Sequence, residues 1–198
     1  MRKIISLFQR DYDAHGLVRD ELTDGAEWVI NGDGVATRKY DGTCCLIRNG
    51  KLYRRHEKKR GRISPSSFEP AQEPDPITGD QPGWVPVTDG PEDKYHRAAF
   101  AMLANRIDGT YELLGPKVQG NREQQHRNVL IPHGNTILEG VPRNYPGLKR
   151  YFLEHSDIEG IVWHHPDGRM VKIKGKDFGL SWPVKSSGAK FSPIGGVG

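Results

Sequence analysis

The sequence predicts an α+β fold dominated by antiparallel strands. Short β-prone runs recur with turn residues between them, an Asn49-Gly50 dipeptide joins two such runs directly, and only two stretches carry helical spacing. With 24 Gly and 14 Pro among 198 residues, long helices are not expected. That length suits one domain over residues 1–198 with its own core and one long excursion at about 64–91.

Taken in order, residues 1–33 supply Ile4, Ile5, Leu7 and Phe8, then Trp28, Val29 and Ile30, read as an opening strand and a lead-in loop packed on the core. Gly32-Asp33-Gly34 lacks the third glycine and the following helix of a dinucleotide fingerprint, and is read as a turn. Residues 35–58 form the clearest local structure. With Asn49 and Gly50 as turn residues, Arg48 pairs with Lys51, Ile47 with Leu52, Leu46 with Tyr53, Cys45 with Arg54 and Cys44 with Arg55. Cys44, Leu46, Tyr53 and Arg55 then share one face, and Cys45, Ile47, Leu52 and Arg54 the other.

Residues 64–91 hold half of the prolines, so no regular element is expected there, only a surface excursion whose tip near Trp84 folds back on the body. Tyr95, Ala99, Met102, Leu103 and Ile107 recur at helical spacing and predict a helix from Pro91 to about Arg106. Residues 110–116 and 129–133 read as strands, 148 to about 154 as a short helix, and 160–165 and 170–174 as two strands around a turn at Asp167-Gly168.

The net charge of +4 is unevenly spread, because Arg54, Arg55, Lys58, Lys59, Arg60 and Arg62 fall within nine positions. Such a run is either a solvated face or a polyanion site. The two cysteines, Cys44 and Cys45, are adjacent in a strand and point to opposite faces, which disfavours a bridge and suggests a reducing compartment. The apolar run at the N-terminus is too short for a signal or membrane segment, so a cytoplasmic protein with no membrane partner is expected.

Lys39, Glu112, Glu159, Lys172 and Lys174 lie inside apolar strands, where charge is costly unless paired or used. Lys172 and Lys174 share one face, so both amines point the same way. One charged cleft in the sheet accounts for all five; a solvated face accounts for any one.

Lys39-x-Asp41-Gly42, the Glu112 strand, Glu159-Gly160-Ile161-Val162 and Lys172-Ile173-Lys174 resemble, in order, the motifs of covalent nucleotidyltransferases, the superfamily of polynucleotide ligases and RNA-capping enzymes. The resemblance runs from about residue 35 to 178. Residues 111–121 and the motif Lys39-Tyr40-Asp41-Gly42-Thr43-Cys44 look most like compact ATP-dependent RNA ligases that join 5′-phosphate to 3′-hydroxyl ends. Only 24 residues follow Lys174, too few for the appended oligonucleotide-fold (OB) domain that DNA ligases and capping enzymes normally need.

The resemblance implies the nucleotidyltransferase (adenylation) fold without an OB domain, ATP and Mg²⁺ (or Mn²⁺) as cofactors, RNA as substrate, and no obligate protein partner. Lys39 would attack the α-phosphorus of ATP to give lysyl-AMP. A nucleophilic amine must be uncharged, and Lys172 and Lys174 beside it would disfavour the ammonium by like charge and partial desolvation. Lys172 and Lys174 would also hold the α-phosphate. Glu159 would bind the metal, Glu112 the ribose and Val162 one adenine face, within a nucleotide site that also takes in Asp41, Gly42 and Arg54. His133, in preference to Tyr151, would stack on the other adenine face. Where the family motif has arginine this chain has Cys44, and Arg55, across the hairpin on the same face, is expected to supply the guanidinium.

The alternatives are a nucleotidyltransferase acting on a DNA end or cap site, and a catalytically silent RNA-binding relative. Asp177-Phe178-Gly179 mimics a kinase motif without its catalytic loop, and His164-His165 face opposite ways and form no two-histidine metal site.

Overall fold

The computed structural model describes residues 3–183. The N-terminal part contains β1 (Ile5–Ser6), β2 (Phe8–Asp11), β3 (Leu17–Leu22), the short helix α1 (Glu27–Ile30) and β4 (Val35–Lys39). Then come β5 (Thr43–Arg48), β6 (Lys51–Lys58), β7 (Glu69–Pro70), β8 (Gln81–Pro86), α2 (Lys94–Met102), β9 (Gly109–Leu114) and β10 (Val129–Pro132), followed by α3 (Tyr145–Glu154), β11 (Gly160–His164) and β12 (Met170–Lys174). One sheet has the order β1-β12-β11-β4, a second β10-β9-β5-β6-β8-β7, and β2 and β3 pair apart from both. Among the described strands only β1 and β12 pair in parallel. The protein is thus α+β with mostly antiparallel sheets.

Strand alternation gives each main sheet one apolar face. Ala36, Ile161, Trp163, Val171 and Ile173 of the first sheet pack with Leu148 and Phe152 of α3 and with Leu7, Phe8, Trp28 and Phe178. Cys45, Ile47, Tyr111, Leu113 and Leu130 of the second pack with Ala99 of α2. Each fully buried Leu, Ile or Phe in these cores stabilises the fold by roughly 1.5–3 kcal/mol. The alternate residues, among them Thr37, Lys39, Val162, Lys172 and Lys174 of the first sheet and Cys44, Arg55 and Glu112 of the second, lie on the other faces.

The hairpin register is as the Asn49-Gly50 turn requires, with Cys45 opposite Arg54, Leu46 opposite Tyr53, Ile47 opposite Leu52 and Arg48 opposite Lys51. Other expectations are corrected. The Pro-rich stretch is not free of regular structure: β8 lies along β6 for six residues and β7 pairs with β8. Proline is tolerated because β8 is nearly at the sheet edge, beside a partner of only two residues. Trp84 does fold back, buried and opposite Arg55.

The lead-in loop contains the β2–β3 pair. Helix α2 ends at Met102, since Leu103 is already extended, and Met102 and Ile107 are therefore exposed rather than core. Helix α3 starts earlier than its apolar spacing suggested, because Asn144 caps it by accepting the Gly147 N–H at 2.8 Å and Pro146 suits its first turn. No helix among the described residues is long and apolar enough to cross a membrane.

Candidate functional site

Lys39 ends β4 in the first sheet and Thr43 begins β5 in the second, so Tyr40-Asp41-Gly42 is where the chain crosses between sheets. The crossover is tight. A Cβ at Gly42 would lie 2.3 Å from the Leu113 carbonyl oxygen, and the Gly42 N–H donates to Glu112 Oε1 at 3.0 Å. Only glycine lets the backbone come this close to β9.

Register then assembles the lysines. Gly160 of β11 pairs with Lys39 on one side and Lys174 on the other, and Val162 pairs with Thr37 and Lys172. Gly160 has no side chain to separate the two amines, since a Cβ there would lie 2.4 Å from the Ile173 carbonyl oxygen. Glu159, buried beside it, accepts from Lys39 Nζ through Oε2 and from Lys174 Nζ through Oε1, both at 2.6 Å. Lys39 also reaches the Tyr40 carbonyl oxygen at 3.2 Å. Among the described residues no such carboxylate pairs with Lys172, and burial, reinforced by the like charges of Lys174 and Lys39, pushes its amine from 10.5 down to about 8.

The opposite wall comes from the second sheet. Glu112 pairs with Cys44, and Glu112 Oε2 lies 2.8 Å from His133 Nε2, while His133 Nδ1 lies 2.9 Å from Thr110 Oγ1. Arg55 lies over the Trp84 ring, 5.2 Å from its centroid, and its charge is felt at Cys44. Burial, helped by Glu112, pushes the Cys44 thiol up to about 12, which removes it as a nucleophile. Between the walls lies a cavity of about 300 Å³, lined among others by Lys39, Arg55, Glu112, His133, Val162 and Lys172. Among the described residues Lys3, Arg38, Lys39, Arg55 and Lys172 bring cationic groups to its lining and Glu112 a carboxylate, while Lys39 and Arg38 are also paired with Glu159 and Glu123 outside it.

Not every expected residue is here. Arg54 lies on the other face of the hairpin, where its Nε is 2.9 Å from the fully buried Asp93, and strand alternation keeps it from the lysines. Asp41 turns to Arg122 Nη1 at 2.8 Å and Trp182 Nε1 at 3.3 Å. Tyr151 stacks on His155 on α3, with centroids 3.9 Å apart, whereas His133 lines the cavity. Of the basic run, Lys58, Lys59, Arg60 and Arg62 are exposed, and Lys59 pairs with Asp80. His164 faces the cavity and Thr37 Oγ1, and His165 faces Trp28, so the two do not converge.

Two supporting residues, Glu123 and Arg122, carried no sequence pattern that would have found them, and a third, Asp177, stood out only as a kinase-motif mimic. Half-buried Glu123 accepts the Asp41 N–H at 2.9 Å and pairs with Arg38 at 2.8 Å, and desolvation holds its carboxyl above the usual range. Arg122 beside it holds Asp41. Asp177, the would-be kinase aspartate, accepts the Lys174 N–H at 3.0 Å and pairs with Arg10 at 2.7 Å, fixing the end of β12.

Two mostly antiparallel sheets thus meet at a crossover that brings Lys39, Lys172 and Lys174 together on one side and Glu112 and His133 on the other. The sequence profile of the RNA ligase 1 family matches residues 89–194, more than half of the chain, and the chain belongs to this family. RNA ligase 1 of Pongo abelii is 24% identical over an alignment covering 81% of this chain and 72% of the relative. RNA ligase 1 of Mus musculus is 25% identical over 82% and 72%, and that of Danio rerio 25% over 81% and 72%.

Proposed function

We propose that the protein is an ATP-dependent RNA ligase with the adenylation fold of nucleotidyltransferases, joining a 5′-phosphate to a 3′-hydroxyl through a covalent lysyl-AMP. The observation that carries the reading is Lys39 at the sheet crossover, its Nζ 2.6 Å from the buried Glu159 carboxylate that also holds Lys174. Family membership supports RNA as the substrate.

Lys39 Nζ gives up a proton, for which Glu159 is the nearest carboxylate, and its lone pair attacks the α-phosphorus of ATP. The N–P bond forms as the bond to pyrophosphate breaks. Lys172 and Lys174 stabilise the charge that develops on the α-phosphate oxygens. Glu112 takes the ribose hydroxyls, Val162 one adenine face and His133 the other, and Arg55 takes the place of the motif arginine. AMP then passes to an RNA 5′-phosphate, and a 3′-hydroxyl displaces it.

Glu159 is the carboxylate facing the amines, and one hard oxygen donor with phosphate and water ligands fits Mg²⁺ or Mn²⁺. When bound, the metal would neutralise phosphate charge. Asp41 acts here through the crossover backbone, and Arg54 is assigned a structural part.

Incubation with α-labelled ATP and Mg²⁺ should label the protein covalently, Lys39→Met should abolish the label, and 5′-phosphorylated RNA should discharge it into joined product more readily than DNA. No label on the wild type, or equal label on Lys39→Met, overturns the mechanism; discharge into DNA alone or a capped end overturns the substrate.

A further inference from the structure

On the nucleoside side of the cleft Glu112 and His133 are joined by Cys44, a residue to which the proposed ligase chemistry gives no part. Cys44 Sγ, a Glu112 carboxylate oxygen and a His133 ring nitrogen all lie within 4.8 Å of one another. These are three different ligand types, from β5, β9 and the residue after β10, brought together by the pairing of Cys44 with Glu112 and by the end of the neighbouring strand. We infer that Cys44, Glu112 and His133 form a binding site for a thiophilic divalent cation of the Zn²⁺ class, which occupies the nucleoside pocket and excludes ATP.

The surroundings of the three residues are those of an oriented ligand set. His133 Nδ1 is tied to Thr110 Oγ1 at 2.9 Å, leaving Nε2 directed at the cluster. Glu112 Oε1 is held by the Gly42 N–H at 3.0 Å, leaving Oε2 directed the same way. Such outer partners fix the ring orientation and the carboxylate of metal ligands. A tetrahedral Zn²⁺ needs ligand atoms roughly 3.3–3.7 Å apart, so Glu112 Oε2 and His133 Nε2, now 2.8 Å apart, must separate by under an ångström. All three residues line the cavity, whose volume leaves room for a fourth ligand.

The donor set selects the metal. A thiolate, an imidazole and one carboxylate favour Zn²⁺, Co²⁺ or Cu over Mg²⁺, which prefers oxygen ligands. Coordination replaces the S–H bond by a metal–sulfur bond, and the thiol proton leaves to solvent. Cys45 cannot substitute, since it is fully buried and points into the core beneath the second sheet.

Metal binding rests on this geometry alone; the exclusion of ATP rests on the proposed function, in which Glu112 and His133 take the nucleoside. The same residues would then serve two occupants that cannot be present together.

The test is a Co²⁺ titration of the full chain, stripped of metal and kept reduced, followed by its absorption spectrum. The expected result is a thiolate-to-cobalt charge-transfer band saturating at one equivalent, bleached by Zn²⁺ and not by excess Mg²⁺. Cys44→Ser should lose the band, Cys45→Ser should keep it, and His133→Ala should weaken Co²⁺ binding at least about tenfold. No band in the wild type, or a band that survives in Cys44→Ser and not in Cys45→Ser, overturns the site. Protein first converted to lysyl-AMP with ATP and Mg²⁺, then freed of nucleotide and metal, should give no band. A band of full intensity in that adenylylated protein overturns the exclusion. Failure of the proposed ligase reading appears separately, as no covalent label in metal-stripped protein given ATP and Mg²⁺ whatever Co²⁺ does.

Discussion

Lys172 is held in its charged state against the interest of the fold, and replacing it by methionine should reveal by how much. Its amine is lowered from 10.5 to about 8 by burial first and by Lys174 and Lys39 next. At about 1.36 kcal/mol per pH unit, that amounts to about 3 kcal/mol against folding while the amine carries its proton. Below about pH 8 folded and unfolded chains both hold the proton, and the cost is present in full. Between about 8 and 10.5 only the unfolded chain holds it, so wild-type stability rises with pH; above 10.5 both are neutral and the cost is gone.

Lys172→Met removes the charge at every pH. Beyond a constant packing difference, the variant should therefore exceed the wild type by about 3 kcal/mol near neutrality, with the gap closing as pH rises toward 10. Chemical denaturation of both proteins at intervals from about pH 7 to about pH 10 measures it. A gap that stays constant, or widens with pH, would refute the reasoning. The same titration predicts weaker ATP binding as Lys172 loses its proton, and Lys172→Arg should flatten that limb because guanidinium stays charged.

Glu159→Gln removes the carboxylate shared by Lys39 and Lys174. Its labelling rate should fall roughly 10²–10³-fold, with stability lower by roughly 1–3 kcal/mol, a discounted figure because the amines are 21% and 16% exposed; a rate within about twofold of wild type would contradict the assignment. Arg54→Ala and Arg55→Ala should differ in kind. Arg54→Ala strands the buried Asp93 carboxylate and lowers stability by roughly 2–4 kcal/mol. Arg55→Ala, on the cavity face, should slow lysyl-AMP formation or ligation, and an unchanged rate of both ends the idea that it replaces the motif arginine. Changing the exposed Lys58, Arg60 and Arg62 to glutamine should weaken RNA binding and reduce the slope of log affinity against log salt by up to about 0.7 per lost phosphate contact; salt titration of RNA affinity checks this.

Much of this molecule is local and was therefore legible in the sequence. The Asn49-Gly50 turn fixes the β5–β6 register through backbone twist alone, and period two along β12 puts Lys172 and Lys174 on one face whatever they pack against. The order Lys39, Glu112, Glu159, Lys172, Lys174 likewise needed no coordinates to read. What tertiary structure decided depends on contacts between residues far apart in the chain. The Pro-rich stretch looks irregular because proline lacks a donor, yet β8 needs only one well-paired side, and its place beside β6 was hidden until the fold supplied the edge.

Arg54 and Arg55 are adjacent in sequence and equal in charge; only the buried Asp93 on one side and the cavity on the other separate their parts. Glu123 lies in no periodic pattern, and its hold on the crossover exists only because residues 41 and 123 meet in space. The sequence by itself determined that Lys172 and Lys174 share a face. The pairing of β4, β11 and β12 decided that Glu159 sits between two amines and that, among the described residues, no carboxylate pairs with Lys172, because a charge in a sheet is set by its cross-strand neighbours.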